Sequence, residues 1–218
     1  MGAPRSASLA GACAFLLLLA GCGGGPEPRR VSSQNMAGGI ASPAFRQCRA
    51  ALNKDAVRYT LLPDRTFDGG CRAVGAVQLL DIGVPVSGLK AMTCPLALHF
   101  GRWTATTRGI ARETLGSELV RIESFGTYAC RSRNSQVGGR LSEHAFANAV
   151  DVAAFVLADG RRITVERGWS GADPKVRDFL RRTHRAGCKE FQIGLGPEAD
   201  RFHYNHFHFD MGRGPYCR

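Results

Sequence analysis

The sequence predicts an α+β domain: a small antiparallel sheet, flanked by helices and stabilised by disulfides. Three observations carry that prediction. Helical spacing is confined to a short segment near residue 50, a long one over 95–115 and a third opening at Asp173-Pro174. Short apolar runs separated by Gly, Asn and Asp fill the stretches between and after these helices, with hairpin-type turns that favour antiparallel pairing. Six cysteines remain once the N-terminus is set aside, an even number suited to cross-linking.

Residues 1–21 are a leader rather than fold. Arg5 supplies a positive start, Phe15–Leu19 is an apolar core too short to span a bilayer, and Leu19-Ala20-Gly21 runs into Cys22. This ending resembles a bacterial lipoprotein signal, in which the cysteine is lipidated and becomes the new N-terminus. Gly23 stands where inner-membrane retention signals carry Asp, which favours the outer membrane on the periplasmic side. Residues 22–43 are rich in Gly, Pro and Ser and nearly devoid of large apolar side chains, so they read as a tether. About 20 flexible residues reach roughly 25 Å. The remainder, 44–218, is the size of one domain and, in a chain with 44% hydrophobic residues, can bury a sizeable core.

Within that domain, Phe45–Asn53 is a short helix carrying Cys48, and a turn at Asp68-Gly69-Gly70 leads to Cys71. Ala76–Leu80 reads as a strand, with Ile82–Val86 an ambiguous continuation. Pro95–Leu115 is a helix placing Leu96, Phe100, Trp103 and Thr107 on one side, with Thr93 as N-cap. Leu119–Phe125 is a strand and Arg131–Arg140 a polar loop. Ala149–Leu157 is a strand that turns at Asp159-Gly160 and returns over Arg162–Glu166. Asp173 caps a helix reaching about His184, and Phe191–Leu195 and Phe202–Met211 complete the chain. His99 stands alone on a helix, where a single histidine is ordinarily packed or half-exposed, and His184 falls near a helix C-terminus, where a cationic side chain is ordinary. Local closure favours the pairs Cys48–Cys71, Cys94–Cys130 and Cys188–Cys217, each stabilising by roughly 3 kcal/mol. The absence of any CxxC pair argues against a cysteine metal site.

The net charge of +11, or +10 once Arg5 leaves with the leader, suits anionic partners such as wall polymer or lipid headgroups. It is mostly arginine in an Ala/Gly-rich chain and carries little functional weight. Nucleic acid is an unsuitable partner for an exported lipoprotein.

Chemistry concentrates in two stretches. Leu141–Phe155 holds His144 and Asp151, and Phe202–Met211 holds His203, His206 and His208. Histidine nitrogens and a carboxylate are the ligands Zn²⁺ takes at about 2.0–2.2 Å. On one helix His144 and Asp151 would stand about 10.5 Å apart along the axis, too far to share an ion. On one unbroken strand they would face opposite ways. The chain must therefore bend between them, through Ala145–Asn148. In the second stretch, strand alternation puts His206, His208 and Asp210 on one face and Phe207, Phe209 and Met211 on the core side. His203 is out of step, so it lies before the strand or opposite.

Ser142-Glu143-His144-Ala145-Phe146-Ala147-Asn148-Ala149-Val150-Asp151 resembles the Ser-x-His-x-x-Gly-x-Ala-x-Asp signature of the LAS zinc peptidases, which include D-alanyl-D-alanine carboxypeptidases and the penicillin-insensitive murein endopeptidase. His203-x-x-His206-x-His208 resembles the endopeptidase's His-x-x-His-x-His, and Tyr128–Ser132 the upstream Tyr-Arg-Ser element. From about Phe45 to Arg218 the chain is most similar to the bacterial extensin-like C-terminal domain family, although it carries no Ser-Pro-Pro-Pro-Pro repeats.

The resemblance implies an LAS/hedgehog-like metallopeptidase core whose sheet bears the zinc site. His144, Asp151 and His208 would be the zinc ligands, His206 or His203 the base, and Arg131 the group binding a substrate carboxylate or developing oxyanion. Peptidoglycan stem peptides would be the substrate. Two positions depart from the pattern. Asn205 stands where the carboxypeptidases carry a catalytic Glu, which passes base chemistry to a histidine or leaves a non-catalytic binder. Ala147 replaces the signature Gly, at a cost of roughly 1 kcal/mol if that position needs positive φ.

Overall fold

The computed structural model describes residues 1–3 and 39–218. Most of the leader, Cys22 and the tether up to residue 38 lie outside the described residues. Residues 39–43, assigned above to the tether, are folded. A 3₁₀ turn at Gly39–Ala41 leads into α1 (Pro43–Lys54), whose first turn is capped by Ser42 accepting from the Phe45 N–H at 3.1 Å. Among the described residues no helix is long and apolar enough to cross a membrane.

After α1 come β1 (Arg58–Leu61), β2 (Arg65–Thr66), β3 (Arg72–Ala73), β4 (Ala76–Asp81), β5 (Val86–Ser87), β6 (Met92–Thr93) and α2 (Cys94–Leu115). Next are β7 (Leu119–Gly126), β8 (Ala149–Leu157), β9 (Arg162–Thr164), α3 (Val165–Gly168), α4 (Pro174–Glu190), β10 (Ile193–Leu195), β11 (Phe207–Asp210) and β12 (Tyr216–Cys217). The architecture is α+β. A seven-stranded sheet runs β12-β10-β11-β8-β7-β5, with β9 pairing the far end of β8. Its central pairs are antiparallel, whereas the outermost strands β12 and β5 join in parallel. Strands β1-β4-β6 and β2-β3 form two smaller antiparallel sheets.

The expected caps recur: Thr93 accepts from the Leu96 N–H at 3.4 Å to start α2, and Asp173 accepts from Lys175 and Val176 to start α4. Two elements end elsewhere. The return strand stops at Thr164 because its hydroxyl caps α3, accepting from the Arg167 N–H at 3.2 Å. Helix α4 runs six residues past His184, because its buried face continues through Gly187 against the Phe209 ring, with no room there for a Cβ.

Helices α2 and α4 cover one face of the large sheet. Trp103 packs on Phe155 and Phe209, and its indole N–H donates to the Thr183 carbonyl at 3.1 Å. Phe155 meets Phe179 edge-on with centroids 5.1 Å apart. All four rings are fully buried, and truncating any one costs about 3–5 kcal/mol. This layer holds the sheet rigid behind its opposite face.

Disulfides join Cys48–Cys94, Cys71–Cys130 and Cys188–Cys217. Only the last was the pairing expected from local closure. Cys48–Cys94 ties α1 to the first residue of α2, and Cys71–Cys130 ties the β2–β3 region to the segment after β7. The entropy of closing a loop rises only logarithmically with length, so tertiary placement overrides the preference for short loops.

Candidate metal centre

Strand β11 alternates as its sequence requires. Phe207 and Phe209 enter the core, while His208 and Asp210 face the other way. Met211, just past the strand, is also buried in the core. In the register of β11 against β8, His208 stands directly across from Asp151. Between Val152 and Ala154 the pairing with β7 gains one residue, a bulge at Ala153 that restores Phe155 to the core face. Asp151, alternating with the core residues Val150 and Val152, faces away from the helices in a strand that is almost wholly buried.

The predicted bend between His144 and Asp151 is a 3₁₀ turn, Glu143–Phe146, closed by Ala147 in the left-handed region at φ 53°, ψ 30°. Ser142 caps the turn, and the Ala147 carbonyl accepts from the Thr93 N–H at 2.7 Å. Thr93 Oγ1 donates to Asn148 Oδ1 at 2.9 Å. The bend is thus moored to the N-terminus of α2.

These elements bring His144, Asp151 and His208 together, all buried. His144 Nε2 lies 3.1 Å from Asp151 Oδ2 and 3.3 Å from His208 Nδ1, and His208 Nδ1 lies 2.8 Å from Asp151 Oδ1. The outer nitrogens are also engaged. His144 Nδ1 is 3.1 Å from the Thr127 carbonyl, which can only accept, so Nδ1 carries the proton and Nε2 is bare toward the centre. His208 Nε2–H donates to Asp210 Oδ2 at 2.9 Å. Burial alone would lower the His208 pKa, but bonds to Asp151 and Asp210 outweigh it and raise the value to about 10. Burial likewise favours protonated Asp151, and its contacts with His144 and His208 reverse this, holding it well below the usual carboxylate range. A proton bridging His208 and Asp151 occupies the place a cation would take.

The other predicted histidines line the same pocket, whose volume is about 520 Å³. His206 precedes β11 rather than belonging to it, with Nε2 3.5 Å from Asp151 Oδ1. His203 sits on the preceding turn, its Nδ1–H donating to Asp200 at 2.7 Å and its ring 5.2 Å from that of His206. Burial lowers both pKa values, that of His206 to about 4. Arg131 directs Nη2 to within 3.8 Å of Asp151 Oδ2.

His99 and His184 are indeed elsewhere. His99 Nδ1 is 3.0 Å from Glu190. His184 is not a helix-end cation: it is buried in mid-helix among Trp169, Phe207 and Phe209, and burial lowers its pKa to about 4. It lies close to Cys188 and Cys217, but their sulfurs are committed to a disulfide.

Several participants escaped the sequence reading. Asn205 was noted only as a missing Glu, yet its Oδ1 accepts from His206 Nδ1–H at 2.8 Å, directing Nε2 toward Asp151. Thr127 contributes a main-chain carbonyl, which no side-chain pattern reveals. Phe125 occupies a second bulge, between Ser124 and Gly126 of β7, which turns its ring out to meet His206 edge-on at 5.7 Å. Asp210, by contrast, was placed on the face of His208 by strand alternation, and it does stand there.

Residues 46–218 match the family described as Extensin-like protein C-terminus, well over half of the chain. The chain belongs to this family. No curated protein and no solved structure matches it. Among the described residues, with Cys188 and Cys217 committed to a disulfide, the cluster His144, Asp151 and His208 is the one able to hold a metal ion, and a histidine pair lines the same pocket.

Proposed function

We propose that this extensin-like domain is a zinc-dependent peptidase of LAS type, acting on peptidoglycan stem peptides or their cross-links at the cell envelope. The observation that carries the reading is the convergence of three lone-pair donors whose outer atoms are already fixed. Tetrahedral ligands at about 2.0 Å stand roughly 3.3 Å apart. The separations of 2.8, 3.1 and 3.3 Å among His208, Asp151 and His144 lie close to that spacing. Two imidazoles with one carboxylate, each imidazole held from behind by a carbonyl or carboxylate, is a donor set suited to zinc with a position left open.

Held by His144, Asp151 and His208, zinc would supply Lewis acidity for polarising the scissile carbonyl and for acidifying the attacking water. The chain's own residues do the rest. His206, neutral at physiological pH and oriented by Asn205, accepts the water proton at Nε2 as the oxygen attacks the carbonyl carbon. The same nitrogen returns the proton to the departing amine as the C–N bond breaks, leaving an amine and a carboxylic acid, which ionises by passing its proton to the amine. Arg131 stabilises negative charge that develops on the carbonyl oxygen. Lipidation at Cys22 would display the domain from the envelope membrane on the periplasmic side, an oxidising setting compatible with the three disulfides.

Purified protein is expected to carry about one zinc per chain and to alter the muropeptides released from sacculi, read by mass spectrometry. Intact muropeptides with metal-loaded protein would overturn the catalytic reading in favour of a wall-binding lipoprotein. His206→Ala separates the two: in an enzyme it abolishes turnover while zinc content is retained, and in a binder it leaves sacculus binding largely intact.

A further inference from the structure

Beyond the metal cluster the pocket has an unbalanced polar lining. Four carboxylate side chains face it, and each has a fixed donor. Asp151 takes His208 at 2.8 Å, and Asp210 takes His208 and the Gly212 N–H at 2.7 Å. Asp200 takes the Phe202 N–H and His203, while Glu143 takes the Asn148 amide at 2.6 Å. The guanidinium groups of the same pocket are not so committed. Arg131 comes only within 3.8 Å of Asp151, and neither Arg133 nor Arg213 has an ion pair within 4.0 Å among the described residues, although the Arg133 charge acts on Glu143 from a distance.

The two unpaired arginines come from separate segments, each set by local structure. Arg133 opens a 3₁₀ turn in the 131–140 loop, its N–H donating to the Arg140 carbonyl at 2.9 Å. Arg213 follows Gly212, directly after the segment carrying His208 and Asp210. A Cβ on Gly212 would come within 2.9 Å of both Asp210 Oδ1 and Glu143 Oε1, so a larger residue there would have to push these carboxylates aside. That passage sets Arg213 on the pocket wall next to the metal cluster. Tyr216 and Phe202 line the same pocket with half-exposed or exposed rings. A cavity of about 520 Å³ admits a ligand larger than one residue.

We infer that Arg133 and Arg213 form a second anion subsite, selecting peptides that carry a carboxylate in addition to the group engaged by Arg131 at the reacting centre. This rests on the assignment of the pocket as a peptidase site and adds to it the chemical class of substrate: acidic peptides with two separated carboxylates. A guanidinium fork offers paired donors to a carboxylate, and such charge-assisted bonds discriminate strongly against the uncharged amide.

The test uses two synthetic peptides that differ only in whether the second carboxylate is free or amidated. Binding is measured by titration calorimetry with the full chain, metal-free and zinc-loaded, and hydrolysis is followed separately by mass spectrometry. Amidation is expected to weaken binding about tenfold in the wild type. In an Arg133→Gln/Arg213→Gln variant the two peptides should bind equally, with zinc content unchanged. An equal penalty for amidation in wild type and variant, or none in the wild type, overturns the subsite. Charge-dependent binding without hydrolysis of either peptide leaves the subsite standing and overturns the peptidase. Hydrolysis indifferent to amidation does the reverse.

Discussion

Zinc affinity should rise about tenfold for each pH unit between roughly 6 and 9, because the metal must displace a proton from His208. In the metal-free centre Asp151 and Asp210 flank the ring at 2.8 and 2.9 Å and raise its pKa to about 10 despite complete burial. Throughout that range Nδ1 is protonated, yet it must be bare to donate to zinc. Each pH unit therefore changes the binding free energy by about 1.4 kcal/mol, and three units by about 4. The sign for the metal-free protein is the opposite. A pKa raised above the unfolded value of about 6.5 gives stability fully present below pH 6.5 and lost as pH rises toward 10. Zinc and protons thus stabilise the same fold at opposite ends of the range. Calorimetric zinc titrations at pH 7.5, in two buffers of different ionisation enthalpy, count the released protons directly, and about one is expected. Zero protons released, with affinity flat from pH 7 to 9, would refute the reasoning by showing that the ring is already neutral.

Asp210→Asn keeps the shape but removes the carboxylate behind His208; zinc affinity, measured by chelator competition, should fall about 10- to 100-fold while the far-UV circular dichroism spectrum stays unchanged. At Ala147, glycine would relieve about 1 kcal/mol or more of left-handed strain but lose a fully buried methyl worth about 0.8, and would free the unfolded chain. Ala147→Gly should therefore change stability by less than about 1 kcal/mol in urea unfolding, and a loss above about 2 would show that the methyl, packed with Ala73 and Ala76, matters more than the backbone.

Where one rule governed an element, the sequence located it well. Ala149–Leu157 was delimited to the residue because an apolar run interrupted only by Asp151 ends at a turn whose glycine adopts φ 86°. The need for a bend between His144 and Asp151 followed from helix and strand geometry alone, and Ala147 supplies it. Elements decided by distant partners were harder to place. Phe202–Met211 alternates like a strand, but pairing with β8 begins only at Phe207, because Asp200 binds the Phe202 N–H and His203 into a turn. Cys94 and Cys130 found partners across the fold, beyond the reach of spacing. The roles of Thr127 and Asn205 depend on where a carbonyl and an amide point, which composition does not encode.

The large sheet ends on both sides in a strand of only two residues, β5 and β12. Long unpaired margins invite a second chain to add its own strand, and stubs this short offer little to pair with. On the β12 side the stub is fastened covalently, since Cys217 is bonded to Cys188 at the end of α4 while Tyr216 and Arg218 donate to Gln192 and Gly194 of the adjacent segment. Reduction of that one bond would uncover the margin of β10, the strand that pairs directly with the one carrying His208. A thiol-rich compartment would then turn a self-contained sheet into a template for intermolecular pairing, so oxidation guards the solubility of this domain as well as its folding.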